Sequence, residues 1–256
     1  MKEEKIKKVV REGYAKIAKQ NTCCGNNSCS LDISKKIGYR EKEIKSVPEG
    51  SNLGLGCGNP VAMASLRKGE VMLDLGSGAG FDCFLAANKV GNKGKVIGVD
   101  MTPEMIEKAR ENARKDNYKN VEFRLGEIEN LPVADNSIDI VMSNCVINLS
   151  IDKERVFKEA LRVLKPNGRM IISDIVLLKK LPDSIKKSVE AYIGCIAGAM
   201  MKDKYMDAVK SAGFKDVRII DEKMLPVEMF SDGMKESTKD IAKSIASIKA
   251  YGIKPK

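Results

Sequence analysis

The sequence predicts a doubly wound, mostly parallel α/β sheet, and three observations carry that prediction. Short apolar runs rich in branched residues recur at Val71 to Leu75, Val96 to Val99, Val121 to Leu125, Ile138 to Ser143 and Met170 to Ile175, the pattern of parallel strands buried on both faces. Segments with helical signals separate the runs. A glycine-rich turn follows the first run directly, at the carboxyl edge where open α/β sheets bind their ligands.

Residues 1–50 precede this repeat and are read as a separate segment, in which a basic helical stretch leads into the loop NTCCGNNSC. The following VPEGSNLGLGCGNP is too rich in Gly, Pro and Asn for regular structure. Residues 51–222 are assigned to the α/β domain. Its clearest helix opens with Thr102 as N-cap and Pro103 in the first position, and Met105, Ala109 and Ala113 recur every four residues. A second helix covers Lys153 to Leu164 and stops before Lys165-Pro166-Asn167-Gly168. Residues 223–256 are expected to be a helical extension, with Ile241, Ile245 and Ile248 as an apolar stripe on a Lys-rich helix packed on the main domain.

Composition narrows the function. The chain has 256 residues and is 43% hydrophobic, enough for a substantial core, yet no stretch approaches the ~20 apolar residues of a membrane span. A cytoplasmic protein off the membrane is expected, since the N-terminus also lacks a signal peptide's apolar run. The net charge of +10 comes from lysines spread along the chain, and aromatic content is 5% with no Trp, so nucleic acid is not the expected partner. There is no histidine, which removes the commonest general base and zinc ligand together.

In VMLDLGSGAGFD the glycines Gly76, Gly78 and Gly80, with Ser77 among them, stand between a strand and a helix, and Asp74 precedes them within the strand. The G-x-G-x-G spacing, the acidic residue and the lack of an added basic residue favour S-adenosylmethionine over a dinucleotide. That cofactor carries cations and no phosphate, and a nearby carboxylate suits it. Asp100 ends the second strand, where both ribose hydroxyls can donate to it, and Met101 can cover the adenine. Glu127 and Ile128, in Gly126-Glu127-Ile128-Glu129, lie where the adenine edge is read, and Asn144 closes the fourth strand beside the same crevice. Cys145 falls just past that strand, near the expected position of the reactive methyl.

LDLGSGAG, GVD, LPVADNSIDIVMSN and EALRVLKPNGRMIISDI resemble class I S-adenosylmethionine methyltransferases. NLGLGCGNP, FDCFLAA, SNCVINLS and AYIGCIAGA resemble, more narrowly, arsenite methyltransferase, from about Tyr14 to Asp221. The resemblance implies a seven-stranded Rossmann-like sheet whose antiparallel strand AGFKDVRIID would help form. It also carries arsenic-binding roles onto Cys145 and Cys195, with Cys57 as the third thiol, and favours Cys24, over its neighbour Cys23, as partner of Cys57 in a reversible disulfide reset by glutathione or thioredoxin. Trivalent arsenic is soft and selects thiolates, and its lone pair is a nucleophile that needs no general base. The expected substrate is therefore arsenite or a thiol conjugate of it, handled by a monomer. Cys83 is read as a small buried residue, and Cys23, Cys24 and Cys29 match no usual four-ligand zinc or iron–sulfur spacing. Two rivals stand beside this reading: methylation of a small organic acceptor with structural cysteines, and a metalloid-binding module without turnover.

Overall fold

The computed structural model describes residues 3–20, 27–186, 188–224 and 244–256. Four helices come first: α1 (Glu3–Gln20), α2 (Asn27–Lys36), α3 (Glu41–Ile44) and α4 (Pro60–Met63). The alternating core follows as β1 (Val71–Leu75), α5 (Phe81–Val90), β2 (Lys95–Asp100), α6 (Pro103–Lys115), β3 (Val121–Leu125), β4 (Ile138–Asn144), α7 (Lys153–Val163) and β5 (Leu164–Leu177). Then come α8 (Asp183–Lys186), α9 (Val189–Ile193), α10 (Lys202–Ser211), β6 (Lys215–Met224) and β7 (Ile245–Ile253).

The seven strands form one sheet in the order β3-β2-β1-β4-β5-β7-β6. The first five are parallel, and the order reverses between β2 and β4 on either side of β1, which opens the ligand crevice at their carboxyl ends. The central strands are buried on both faces because each face carries its own helix layer. Leu73, Leu75 and Val141 pack with Val156, Phe157 and Tyr205 of α7 and α10, while Met72, Ile140 and Met142 pack with Phe84, Leu85 and Ile106 of α5 and α6. Each such large apolar side chain contributes roughly 1.5–3 kcal/mol on burial. The α6 boundary stands as read, with Thr102 at the N-cap, Pro103 in the first turn, and Met105 and Ala109 fully buried.

Two readings of the last third are corrected. Ile245 and Ile248 lie not on a helix but on β7, which runs antiparallel between β5 and β6, so the extension from residue 223 completes the sheet rather than packing a helix on it. Ile241 lies outside the described residues. AGFKDVRIID supplies β6, the edge strand, and the antiparallel strand is β7. The cause is burial: Ile245 to Ala250 are all buried, so the two-residue alternation that marks a half-exposed strand is missing. Even Lys249 is nine-tenths buried, its ammonium held by Asp221 at 2.6 Å.

Candidate active site

A cleft of about 1090 Å³, open at its mouth, lies at the carboxyl edge of β1, β2 and β4 beneath α1. Its floor is the glycine turn. The N–H groups of Gly76 and Ser77 donate to Val99 O at 2.7 and 3.0 Å, folding the turn back onto the end of β2. Gly76 and Gly78 have φ of +73° and +51°, the left-handed region that glycine enters without strain. A Cβ on Gly78 would meet nothing within 4 Å, whereas one on Gly76 would lie 2.3 Å from the Val146 side chain. Gly78 thus faces open cleft, and Gly76 lets the Cys145-Val146 turn press against the cofactor loop.

Asp100 is held in place by the N–H groups of Gly78 and Thr102, at 2.9 and 2.8 Å on separate carboxylate oxygens. Burial pushes its carboxyl above the usual range. Asp74, also buried, is pushed well above that range by desolvation and then by the charge of Asp82, while the Cys83 thiol donates to it at 3.3 Å. Cys83 is completely buried, as read, with this hydrogen bond added. The Ser77 hydroxyl is buried with no hydrogen-bond partner among the described residues. Four carboxyl side chains along one cleft, those of Asp74, Asp82, Asp100 and Glu129, and an orphaned hydroxyl fit a cationic nucleoside such as S-adenosylmethionine.

Met101 and Ile128 line the cleft, as expected of residues against an adenine. Glu127 is not among the lining residues: its carboxylate pairs with Lys7 of α1 at 2.7 Å and with Arg11 at 3.6 Å. Asn144 lines the cleft, but its amide is engaged by the Cys57 loop.

Cys57, Cys145 and Cys195 fall in one apolar cluster, each at most 5% exposed. Cys145 follows β4 with φ +62° and Cys195 follows α9 with φ +63°, strained values for non-glycine residues. The Cys195 thiol donates to the Cys145 carbonyl at 2.7 Å, and that of Cys57 to Ser173 O at 3.6 Å. Hydrogen bonding with Cys195 and then Cys57, followed by burial, raises the Cys145 thiol well above its ordinary pKa. Among the described residues no three Cys, His, Asp or Glu side chains are already gathered as metal ligands, so the thiols are neighbours that must turn inward to share one atom. Cys23 and Cys24 lie outside the described residues, as does the side chain of Cys29.

Sequence reasoning missed the roof and one wall. Val10 and Tyr14 of α1 line the cleft and pack against the thiol cluster, and the Tyr14 hydroxyl donates to Ile193 O at 3.3 Å. The signal was present: Ile6, Val10 and Tyr14 recur every four residues. Asp82 and Tyr39 form the wall, joined by a 2.6 Å hydrogen bond. Asp82 directly follows the glycine turn, but nothing in the sequence points to Tyr39 as its partner.

The sheet order, the glycine turn and a carboxylate-lined cleft define a class I S-adenosylmethionine methyltransferase, and a family model described as a methyltransferase domain matches residues 66–213. The arsenite methyltransferase of Halobacterium salinarum is 46% identical over 98% of this chain and 67% of its own length. The human arsenite methyltransferase is 31% identical over 89% of this chain and 63% of its own. The chain thus spans about two thirds of the length of these relatives. The structure of the arsenic(III) S-adenosylmethionine methyltransferase from Chlamydomonas reinhardtii superposes with a TM-score of 0.67 at 33% identity, covering 88% of this chain and 73% of that one. The chain belongs to the arsenite methyltransferase family.

Proposed function

We propose that this chain methylates trivalent arsenic held by Cys57, Cys145 and Cys195. The observation that carries the reading is the convergence of three buried thiols on the wall of the cofactor cleft, where Cys145 belongs to both the thiol cluster and the cleft lining. S-adenosylmethionine, when bound, supplies an electrophilic methyl on a sulfonium. Asp100 would accept the ribose hydroxyls, Asp74 and the Ser77–Gly78 backbone would face the polar end, and Met101 and Ile128 would flank the base. The thiolates hold arsenic with its lone pair toward the cleft, and the protein's contribution is orientation and exclusion of water rather than proton transfer.

Each transfer would form a carbon–arsenic bond from that lone pair as the methyl–sulfonium bond breaks, its electron pair leaving on the sulfur of S-adenosylhomocysteine, and would formally oxidise arsenic to the pentavalent state. Two cysteine thiolates, Cys24 and Cys57 by family likeness, return two electrons by forming a disulfide, and glutathione or thioredoxin reduces it. A cytoplasmic monomer acting on arsenite or its thiol conjugates, without nucleic acid or membrane, completes the reading. Purified protein incubated with labelled S-adenosylmethionine, arsenite and thiol should yield labelled methylarsenicals on arsenic speciation. Label transferred only to an organic acceptor, or arsenic bound with no transfer, would replace this reading with one of its rivals.

A further inference from the structure

Cys57 sits in a stretch without regular structure, between Gly56 and Gly58, so nothing in its own backbone fixes where its thiol points. The fixing comes from one carboxamide. Asn144 Oδ1 accepts the Cys57 N–H at 3.1 Å, and Asn144 Nδ2 donates to the Gly58 carbonyl at 2.9 Å, so the backbone is gripped at Cys57 and again at the residue after it. The grip needs the glycine: a Cβ on Gly56 would stand 2.7 Å from Asn144 Nδ2.

An amide can be turned over, and a turned Asn144 would set its NH2 group against the Cys57 N–H. Two further side chains prevent this. Asp82 Oδ2 lies 2.9 Å from Asn144 Nδ2 and, as a carboxylate, can only accept. The Tyr39 hydroxyl donates to Asp82 Oδ1 at 2.6 Å, which leaves its lone pairs facing Asn144 Nδ2 at 3.0 Å. All three side chains line the cleft, and Asp82 belongs to the first turn of α5, directly after the cofactor's glycine turn. Desolvation raises the Asp82 pKa to about 6, the mark of a carboxylate with no water to share.

We infer that Asn144, oriented by Asp82 and Tyr39, is a positioning residue that sets the Cys57 thiol relative to the cofactor loop. Its relevance to catalysis rests on the arsenic reading above; its structural content does not. The amide assigned from sequence to the cofactor cleft thereby also holds the loop of the Cys57 thiol.

The test is alkylation of the wild type, Tyr39→Phe and Asp82→Asn by iodoacetamide without arsenic or cofactor, with each cysteine followed by mass spectrometry. Tyr39→Phe keeps the ring that packs edge-on against Phe81 at 4.9 Å and removes only the hydroxyl. Cys57 labelling should accelerate roughly tenfold in both variants, the worth of about one hydrogen bond to a charged group, while Cys145 and Cys195 stay within about twofold of wild type. In single-turnover methyl transfer the Tyr39→Phe rate constant should fall with the KM for S-adenosylmethionine unchanged. Wild-type labelling of Cys57 in folded Tyr39→Phe, or equal acceleration at all three cysteines, overturns the inference. Should Asp82→Asn fail to fold, Tyr39→Phe decides alone. Should the wild type methylate no arsenic, the functional reading falls while the labelling still judges the positioning role.

Discussion

The cofactor crevice and the thiol cluster share a wall but are built differently. The crevice floor comes from one continuous segment, β1 through the start of α6, and its key groups are backbone amides and carboxylates pinned by those amides. The thiol cluster draws on three turns far apart in sequence, and two of its residues hold strained backbone that only their surroundings maintain. The crevice is therefore set by local sequence. The thiol cluster exists only as long as each of its loops stays anchored, Cys57 through Asn144 and the Ser247 hydroxyl, and Cys195 through Cys145 and the α1 roof.

The sharpest way to break that comparison is Cys145→Ser. It should lower methyl transfer to arsenic by at least about a thousandfold while calorimetry finds S-adenosylmethionine affinity unchanged, because the crevice does not use the thiol. Loss of cofactor binding in that variant would mean the two regions are one site. The complementary change, Asp100→Ala, should weaken S-adenosylmethionine by about 1–3 kcal/mol through loss of the ionised acceptor, with arsenic bound per chain after gel filtration unaltered.

A pH series sharpens the comparison further, because each region rests on a buried carboxyl. Asp174 accepts from Asn148, in the turn after Cys145, and from Tyr205, and burial raises it to about 7. Asp82 stands at about 6 on the crevice side. A carboxyl raised on folding holds its proton where the unfolded chain has released it, so its contribution is complete below about pH 4 and is lost as pH rises through the folded value. Denaturant midpoints should thus decline from about pH 4 to about pH 7, by several kcal/mol in total, and Asp174→Asn should flatten the upper half of that decline. A midpoint that rises over this range would contradict the burial of both groups. The smallest effect is expected at the cleft rim, where the Lys7–Glu127 pair is partly solvated. Lys7→Ala should shift stability by less than about 1 kcal/mol and leave cofactor affinity within about twofold.

The same contrast explains what could be read in advance. Val71–Leu75 and Val121–Leu125 are strands with the bounds the apolar runs gave them, and Thr102-Pro103 marks the start of α6, because branched runs and caps act over a few residues. Asp74, Gly78 and Asp100 could be placed at the crevice for that reason. The identity of β7 could not, since burial on both faces erased its alternation and left isoleucines at helical spacing. Tyr39 and Asp82 meet across 43 residues, and Glu127 is taken by Lys7 across 120, partnerships that only the folded chain reveals. For Asn144 the position was legible and the partner was not: closing β4 put it beside the cleft, but its carboxamide faces the Cys57 loop.

The placement of β7 has a consequence for how the molecule is made on the ribosome. Among the described residues β6 pairs only with β7, and β5 exposes an edge until β7 arrives, so a nascent chain translated through β6 holds a five-stranded sheet and an unpaired strand. Register pairs such as Arg169 with Ile253 then close a long loop late, a slow step on topological grounds. β7 also carries Ser247, whose hydroxyl donates to the Cys57 carbonyl at 3.0 Å. Until that strand emerges and docks, the Cys57 loop lacks one of its anchors, while the glycine turn, with Gly76 and Ser77 bonded to β2, already has its local partners. The Cys57 loop is therefore expected to settle after the glycine turn during synthesis, since its Ser247 anchor comes with the last strand of the sheet.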